Sequence, residues 1–199
     1  MVKPMRKSAL SGFSLIEVMV TLAIIGIAMS IAFPSIQTLL NNQKMKSAAF
    51  DLVTTAMQAR SEAMKWGAPS GGIPEISLVA SAGGLSVGWC VTFTSASACN
   101  VLNDAGPGPD VMLANKATAK ITYSALPKPI VFGHSGRLLS AAGFAAAPVR
   151  ILVQDAEEYA TARCVVIDSS GNPRTYVQSG GSLASPRFTF GNSTNQECK

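Results

Sequence analysis

The sequence predicts an α+β protein: one long N-terminal helix packed on a small antiparallel β domain of about seven or eight strands. Three observations lead there. Phe13–Phe33 is a run of 21 residues with a single charge, and a helical pattern continues beyond it to about Trp66. After residue 70, Gly, Pro and Ser punctuate short apolar segments, with turn signals every 8–20 residues. Helix first and strands after it is the order of an α+β domain rather than of alternating βα units.

Composition narrows the class of protein. Of 199 residues, 48% are hydrophobic and 14% charged, which excludes a disordered, solvating chain. A lone histidine argues against histidine-rich metal sites and multi-histidine catalysis. The net charge of +5 points to an anionic partner only until it is located: Lys3, Arg6 and Lys7 supply three of the five. From Phe13 onward there are 13 basic and 11 acidic residues, so the bulk-charge case for nucleic-acid binding mostly dissolves.

The apolar run justifies the first element. At about 1.5 Å per residue it forms a helix roughly 31 Å long, enough to cross the hydrocarbon of a bilayer. The basic residues before it would stay cytoplasmic, leaving everything after Pro34 outside. The run is longer than the apolar core of a cleaved secretory signal. Glu17, its one charge, costs on the order of a few kcal/mol in a membrane and is a functional candidate on that ground.

Gly12-Phe13-Ser14-Leu15-Ile16-Glu17, after a short basic leader and opening the apolar run, resembles the type III signal of type IV pilins and pseudopilins. The resemblance implies that a prepilin peptidase cuts after Gly12 and N-methylates Phe13, with Glu17 as fifth residue of the mature chain. Cleavage would leave an ammonium about one helical turn (~6 Å) from the Glu17 carboxylate, also within reach of a neighbouring subunit's terminus. Pairing the two lowers the cost of holding either in apolar surroundings, so Glu17 can set subunit register in a filament.

Pro34 removes a helix hydrogen bond and should kink the helix there. Periodicity then resumes, with Ala49, Val53, Ala56, Met57, Arg60 and Met64 on one face. The helix should stop at Gly67, with Pro69 just beyond. The expected organisation is a leader at 1–12, a membrane or filament-core helix at 13–33, its amphipathic continuation at 34–66, and a periplasmic β domain at 67–199.

Ala59-Arg60-Ser61-Glu62-Ala63 is similar to the end of the helix in the GspH/FimT/FimU branch of that family. Gly88-Trp89-x-Val91, Phe132-Gly-His134-Ser-Gly136-Arg137 and Gly171-Asn-Pro-Arg174 resemble strand and hairpin motifs of the same branch. Arg60 and Glu62, two residues apart, cannot face each other on a helix, so each needs its own partner. The expected strands are Ile76–Val79, Val87–Phe93, Ile121–Tyr123, Ile130–Phe132, Val149–Val153, Cys164–Ile167, Arg174–Val177 and Arg187–Phe190. Residues 95–118 match no pattern, and Asp104–Asp110 reads as a loop without the ligand ladder of a calcium site.

Four cysteines suit a periplasmic domain and allow three pairings. Cys90–Cys99 with Cys164–Cys198 is favoured: the first staples a strand to the loop after it, the second ties the tail to a central strand. Loop entropy gives about 2.7 and 3.8 kcal/mol for the two.

Other chemistry is thin. Gly133-His134-Ser135-Gly136 lacks the last glycine of a nucleophile elbow, Arg137 standing in its place, and reads as a turn. Asn192-Ser193-Thr194 reads as a polar tail. There is no phosphate loop and no dinucleotide glycine pattern, so neither catalysis nor a cofactor is expected.

The resemblance implies a minor type IV pilin, closest to the FimU-like members. Such a subunit assembles near the pilus tip and primes growth with other minor pilins, the major pilin and the inner-membrane assembly platform. Two alternatives stand beside it. One is a GspH-like pseudopilin of a type II secretion system. The other is a FimT-like DNA receptor for natural transformation, for which Arg163, Arg174, Arg187 and Lys199 would supply phosphate contacts. Against the receptor pattern, Gly171-Asn-Pro-Arg174 carries one arginine where a cluster is expected. Arg137 and Arg150 read as solvated strand ends.

Overall fold

The computed structural model describes residues 13–66, 75–93, 99, 111–126, 128–140, 143–144, 147–157, 160–182, 185–191 and 193–198. Several sequence expectations lie outside them: the leader with Gly12, the stop at Gly67 and Pro69, the loop 104–110, Asn192 and Lys199. Helix α1 runs Leu15–Trp66 within the described residues. It is uninterrupted at Pro34. The chain's contacts divide between Thr38 and Leu39, and the two parts are described in turn.

The first part is helical from Leu15, and its apolar side chains are exposed at every azimuth, from Leu15, Ile16 and Val18 to Ile31, Phe33 and Ile36. It is long and apolar enough to cross a membrane. Its hydroxyls are satisfied within the helix: Thr21 Oγ1 donates to the Val18 carbonyl at 2.9 Å and Ser30 Oγ to that of Ile27 at 2.7 Å. Such back-bonding spares a hydroxyl from needing water.

In the second part, α1 buries Met45, Ala48, Ala49, Leu52, Val53, Ala56, Ala59 and Ala63. Five of these eight are alanines, so backbone and sheet approach closely. This corrects the face read from the sequence. Ala49, Val53 and Ala56 are buried, but Met57 and Met64 are 51% and 47% exposed, and Arg60 is half-buried at the margin. The apolar stripe is wider than the side that packs, and small residues rather than large ones mark the contact line.

All eight expected runs are strands, and five more accompany them among the described residues. The order is β1 (Ile76–Ser81), β2 (Gly84–Thr92), β3 (Val111–Lys116), β4 (Ile121–Tyr123), β5 (Ile130–Phe132), β6 (Leu138–Ser140), β7 (Gly143–Phe144), β8 (Val149–Asp155), β9 (Arg163–Ile167), β10 (Pro173–Val177), β11 (Gly180–Gly181), β12 (Pro186–Phe190) and β13 (Ser193–Gln196). The expected seven or eight were too few because β6, β7, β11 and β13 are short, and β3 is half-exposed without clean alternation. The β-pairing is antiparallel in three sheets, ordered β3-β2-β1-β5-β6-β7, β10-β9-β8-β4 and β11-β12-β13.

The main core gathers the α1 stripe with Ile76, Leu78, Trp89, Phe132, Ile151 and Val165. Trp89 Nε1 and Asn115 Nδ2 both donate to Thr55 Oγ1, at 3.2 and 2.9 Å, and that hydroxyl donates to the Asp51 carbonyl at 2.7 Å. A buried hydroxyl thus becomes a tie between helix and sheet. Alternate residues of β8 and β9 face the other way. There Cys164, Ala162, Phe188 and Cys198 form a second small core with Leu152, Val166, Tyr176 and Phe190. Both disulfides, Cys90–Cys99 and Cys164–Cys198, are formed in the favoured pairing.

Candidate functional site

The head of α1 is built from four residues. The Ser14 carbonyl accepts the main-chain N–H of Glu17 at 3.1 Å and of Val18 at 3.3 Å, so Ser14 is the N-cap and Glu17 the third helical residue. Ser-x-x-Glu at those positions is the spacing of a capping box. The carboxylate stands at the positive end of the helix dipole, an additional reason for an acid there. That Ser-x-x-Glu spacing is itself legible in the sequence. It also alters one expectation: Phe13 precedes the N-cap, so no full turn of helix separates it from Glu17. Phe13 is 84% exposed. The only charge between Phe13 and Phe33 therefore sits at the mouth of a helix with no polar face. A helix apolar all round requires apolar surroundings.

At the other end of α1 the structure answers the Arg60 and Glu62 question. Arg60 Nε donates to the Gly136 carbonyl at 3.1 Å, and its terminal nitrogen donates to Asn172 Oδ1. One guanidinium thus fastens the β5–β6 turn and the β9–β10 turn to the helix. Glu62, itself half-buried, pairs instead with the exposed Lys65 at 2.6 Å. The two turns also touch each other. Leu138 N donates to the Ser169 carbonyl at 3.2 Å. A Cβ on Gly171, whose φ is +80°, would lie 2.0 Å from the Gly136 carbonyl oxygen. Glycine is required there by both conformation and space.

Asp168 organises the β9–β10 turn. Its Oδ1 accepts the N–H of Ser170 at 2.9 Å and of Asn172 at 3.0 Å, and also the Ser170 hydroxyl. Burial opposes its charge. The Ser170 hydroxyl, the two main-chain donors and the Arg174 cation outweigh that and hold the carboxyl below its ordinary value. His134 and Ser135 are exposed at the tip of the β5–β6 turn, where Gly136 N closes on the Gly133 carbonyl at 2.8 Å. They are turn residues, as their spacing implied.

Of the arginines proposed for DNA contact, two do not share a face. Arg163 and Arg174 stand opposite Val177 and Val166 in the β9–β10 ladder, which puts them on opposite faces of that sheet. Arg163 is half-buried, and burial lowers its pKa. Arg174 is exposed, and Arg187 on β12 pairs with Glu197 at 3.2 Å. Arg150 lies over the Phe190 ring, 4.8 Å from its centroid. Among the described residues no group of three His, Cys, Asp or Glu side chains could hold a metal.

A family model described as the prokaryotic N-terminal methylation motif matches residues 8–33. A second, described as type II transport protein GspH, matches residues 48–171, more than half of the chain. Two solved structures are similar to it, both of the type IV minor pilin FimU from Pseudomonas aeruginosa strain PAO1. One is 15% identical with a TM-score of 0.49, covering 81% of this chain and 99% of that one. The other is 16% identical with a TM-score of 0.46, covering 77% and 99%. No curated protein matches the chain. The molecule is a pilin-like structural subunit, not an enzyme. The chain belongs to the GspH family, with a prepilin motif that implies processing by a prepilin peptidase and assembly with other pilins.

Proposed function

We propose that this protein is a minor type IV pilin that assembles near the pilus tip and primes filament growth. One observation carries the reading: Glu17 is the sole charge in an apolar helix head that begins with a prepilin methylation motif. Cleavage after Gly12 frees an ammonium at Phe13, and the carboxylate of Glu17 can pair with that of the same or a neighbouring subunit. The pairing offsets desolvation of both charges and fixes the axial position of one helix against the next. Before assembly the helix would hold the subunit in the inner membrane with the β domain in the periplasm. Afterwards the same apolar surface would lie in the filament core.

The test is a count of surface pili in an in-frame deletion strain, with complementation by wild type and by Glu17→Ala. Loss of pili restored by wild type supports priming. Glu17→Ala is expected to be processed and membrane-held yet to restore few pili. Normal piliation by that variant would sink the register mechanism.

A second reading, a pseudopilin of a type II secretion system, is favoured by membership of the family of type II transport protein GspH. It uses the same helix chemistry. Normal pili in the deletion strain, together with loss of secreted substrate, would select it.

A further inference from the structure

We infer that the outer face of the β8–β9–β10 sheet binds a sugar acid, a saccharide that bears a carboxylate. Strand register fixes the site. Arg150 on β8 and Arg174 on β10 both pair with Val166 of β9. Directly paired residues point to the same side of a sheet, so the two guanidiniums flank Val166 on one face, their Cα atoms roughly 9–10 Å apart. That face is the outer one, because the alternate residues Ile151, Val165 and Ile167 turn into the core that holds the α1 stripe.

The tail prepares one of the two arginines. The guanidinium of Arg150 lies over the Phe190 ring, 4.8 Å from its centroid. Phe190 is held in turn by Tyr176, 4.7 Å away, and by the fully buried Phe188. A guanidinium stacked on a ring still offers the N–H groups along its edge. Among the described residues neither Arg150 nor Arg174 forms an ion pair. Both therefore retain donors for a planar carboxylate, the shape a guanidinium grips with two parallel bonds.

Asp168 decides the class of ligand. It lies two residues beyond Val166, with the ladder continued by its N–H to the Asn172 carbonyl, so it shares the outer face. Its Oδ1 takes the three donors of its own turn, which leaves the other oxygen as an acceptor one row from Arg174. Two cationic donors and one anionic acceptor suit hydroxyls, each of which donates and accepts, together with one carboxylate. Half-buried Val166 gives the C–H face of a sugar ring an apolar floor between them. Polyanions fit poorly. A nucleic-acid backbone or an acidic peptide would bring several charges to two cations and meet Asp168 among them. Arg174, Tyr176 and Phe190 lie beyond the segment the GspH match covers, so family membership assigns them no role. The inference goes beyond the assembly reading and holds for a subunit of either machine.

The experiment uses the full chain in lipid nanodiscs and follows the Val166 methyls by NMR. The probes are galacturonic acid, its linear trimer and the matching neutral galactose trimer. The acid trimer is expected to shift Val166 and to bind about tenfold or more tighter than the neutral one, the gain from charge-assisted hydrogen bonds. Arg174→Gln should remove about tenfold of that affinity with thermal unfolding unchanged, since Arg174 is exposed. Phe190→Leu, which removes the ring beneath Arg150, should weaken the acid trimer similarly; Arg174→Gln keeps the test meaningful if that variant fails to fold. A trimer that binds tighter than the single sugar acid assigns a polysaccharide, and equal affinities assign a free sugar acid. The inference is overturned by unmoved Val166 methyls, by equal affinity for the acidic and neutral trimers, by Arg174→Gln binding like wild type, or by an acidic peptide or a single-stranded oligonucleotide that shifts Val166 at lower concentration than the acid trimer.

Discussion

One helix carries two different surfaces. From Leu15 to Thr38 it is apolar on all sides and buries none of its residues. From Leu39 to Trp66 it has a stripe of alanines and a few large side chains at 0–7% exposure. The first part is specified by its surroundings, since any arrangement of Leu, Ile, Val and Met serves in hydrocarbon. The second is specified by shape, since a sheet approaches only where side chains are small. The contrast teaches that hydrophobicity alone says little about which helix face packs.

Substitutions in each region sharpen that contrast. The largest expected effect is at Gly171→Ala, where the new methyl collides with a main-chain oxygen and φ is +80°. A loss of more than about 3 kcal/mol and collapse of the folded β domain should appear in thermal unfolding. Ile25→Asp should leave that unfolding unchanged and instead weaken membrane retention by about 3 kcal/mol, read by carbonate extraction. Ala56→Leu should do the converse. Overpacking at 0% exposure costs about 1–3 kcal/mol and lowers Tm by several degrees, with membrane retention intact. If Ile25→Asp and Ala56→Leu had the same effect on both assays, the two-surface account would fail.

A smaller effect follows from pH. The Asp168 pKa is depressed in the folded state, so its contribution to stability is present above the unfolded value, near 4, and fades as pH falls through the folded one. Acid titration of Tm should therefore be flatter below pH 4 in Asp168→Asn than in wild type. Least of all, Glu62→Ala should change stability by no more than about 0.5 kcal/mol, because its i,i+3 partner Lys65 is solvent-exposed and such helix pairs are weak.

The legible parts of the fold were those written locally. Apolar strands and cysteine pairing both rest on short spacings and strong residue preferences. The Arg60 clamp was not legible, because its acceptors lie 76 and 112 residues away in sequence. Nothing about Arg-Ser-Glu reveals which carbonyl a later turn will offer. The second core was hidden similarly: the strand Arg187–Phe190 and the Cys164–Cys198 bond were both expected, but nothing local shows that Phe188 and Phe190 meet Ala162 and Tyr176, the latter on a different sheet. At the helix head the signal is local: Ser14 and Glu17 stand at capping-box spacing, and the same glutamate also suits an amine partner.

Asn42, Thr55 and Arg60 fasten α1 to the β domain over about 27 Å of helix. Those ties bear on mechanics. Tension applied along the helix would slide it lengthwise over the sheets, stretching all three ties together rather than peeling them in succession. Arg60 would carry its share into two turns from different sheets at once. A pull on the helix would then be resisted by the whole domain, as a rope is held by a cleat and not by its last strand.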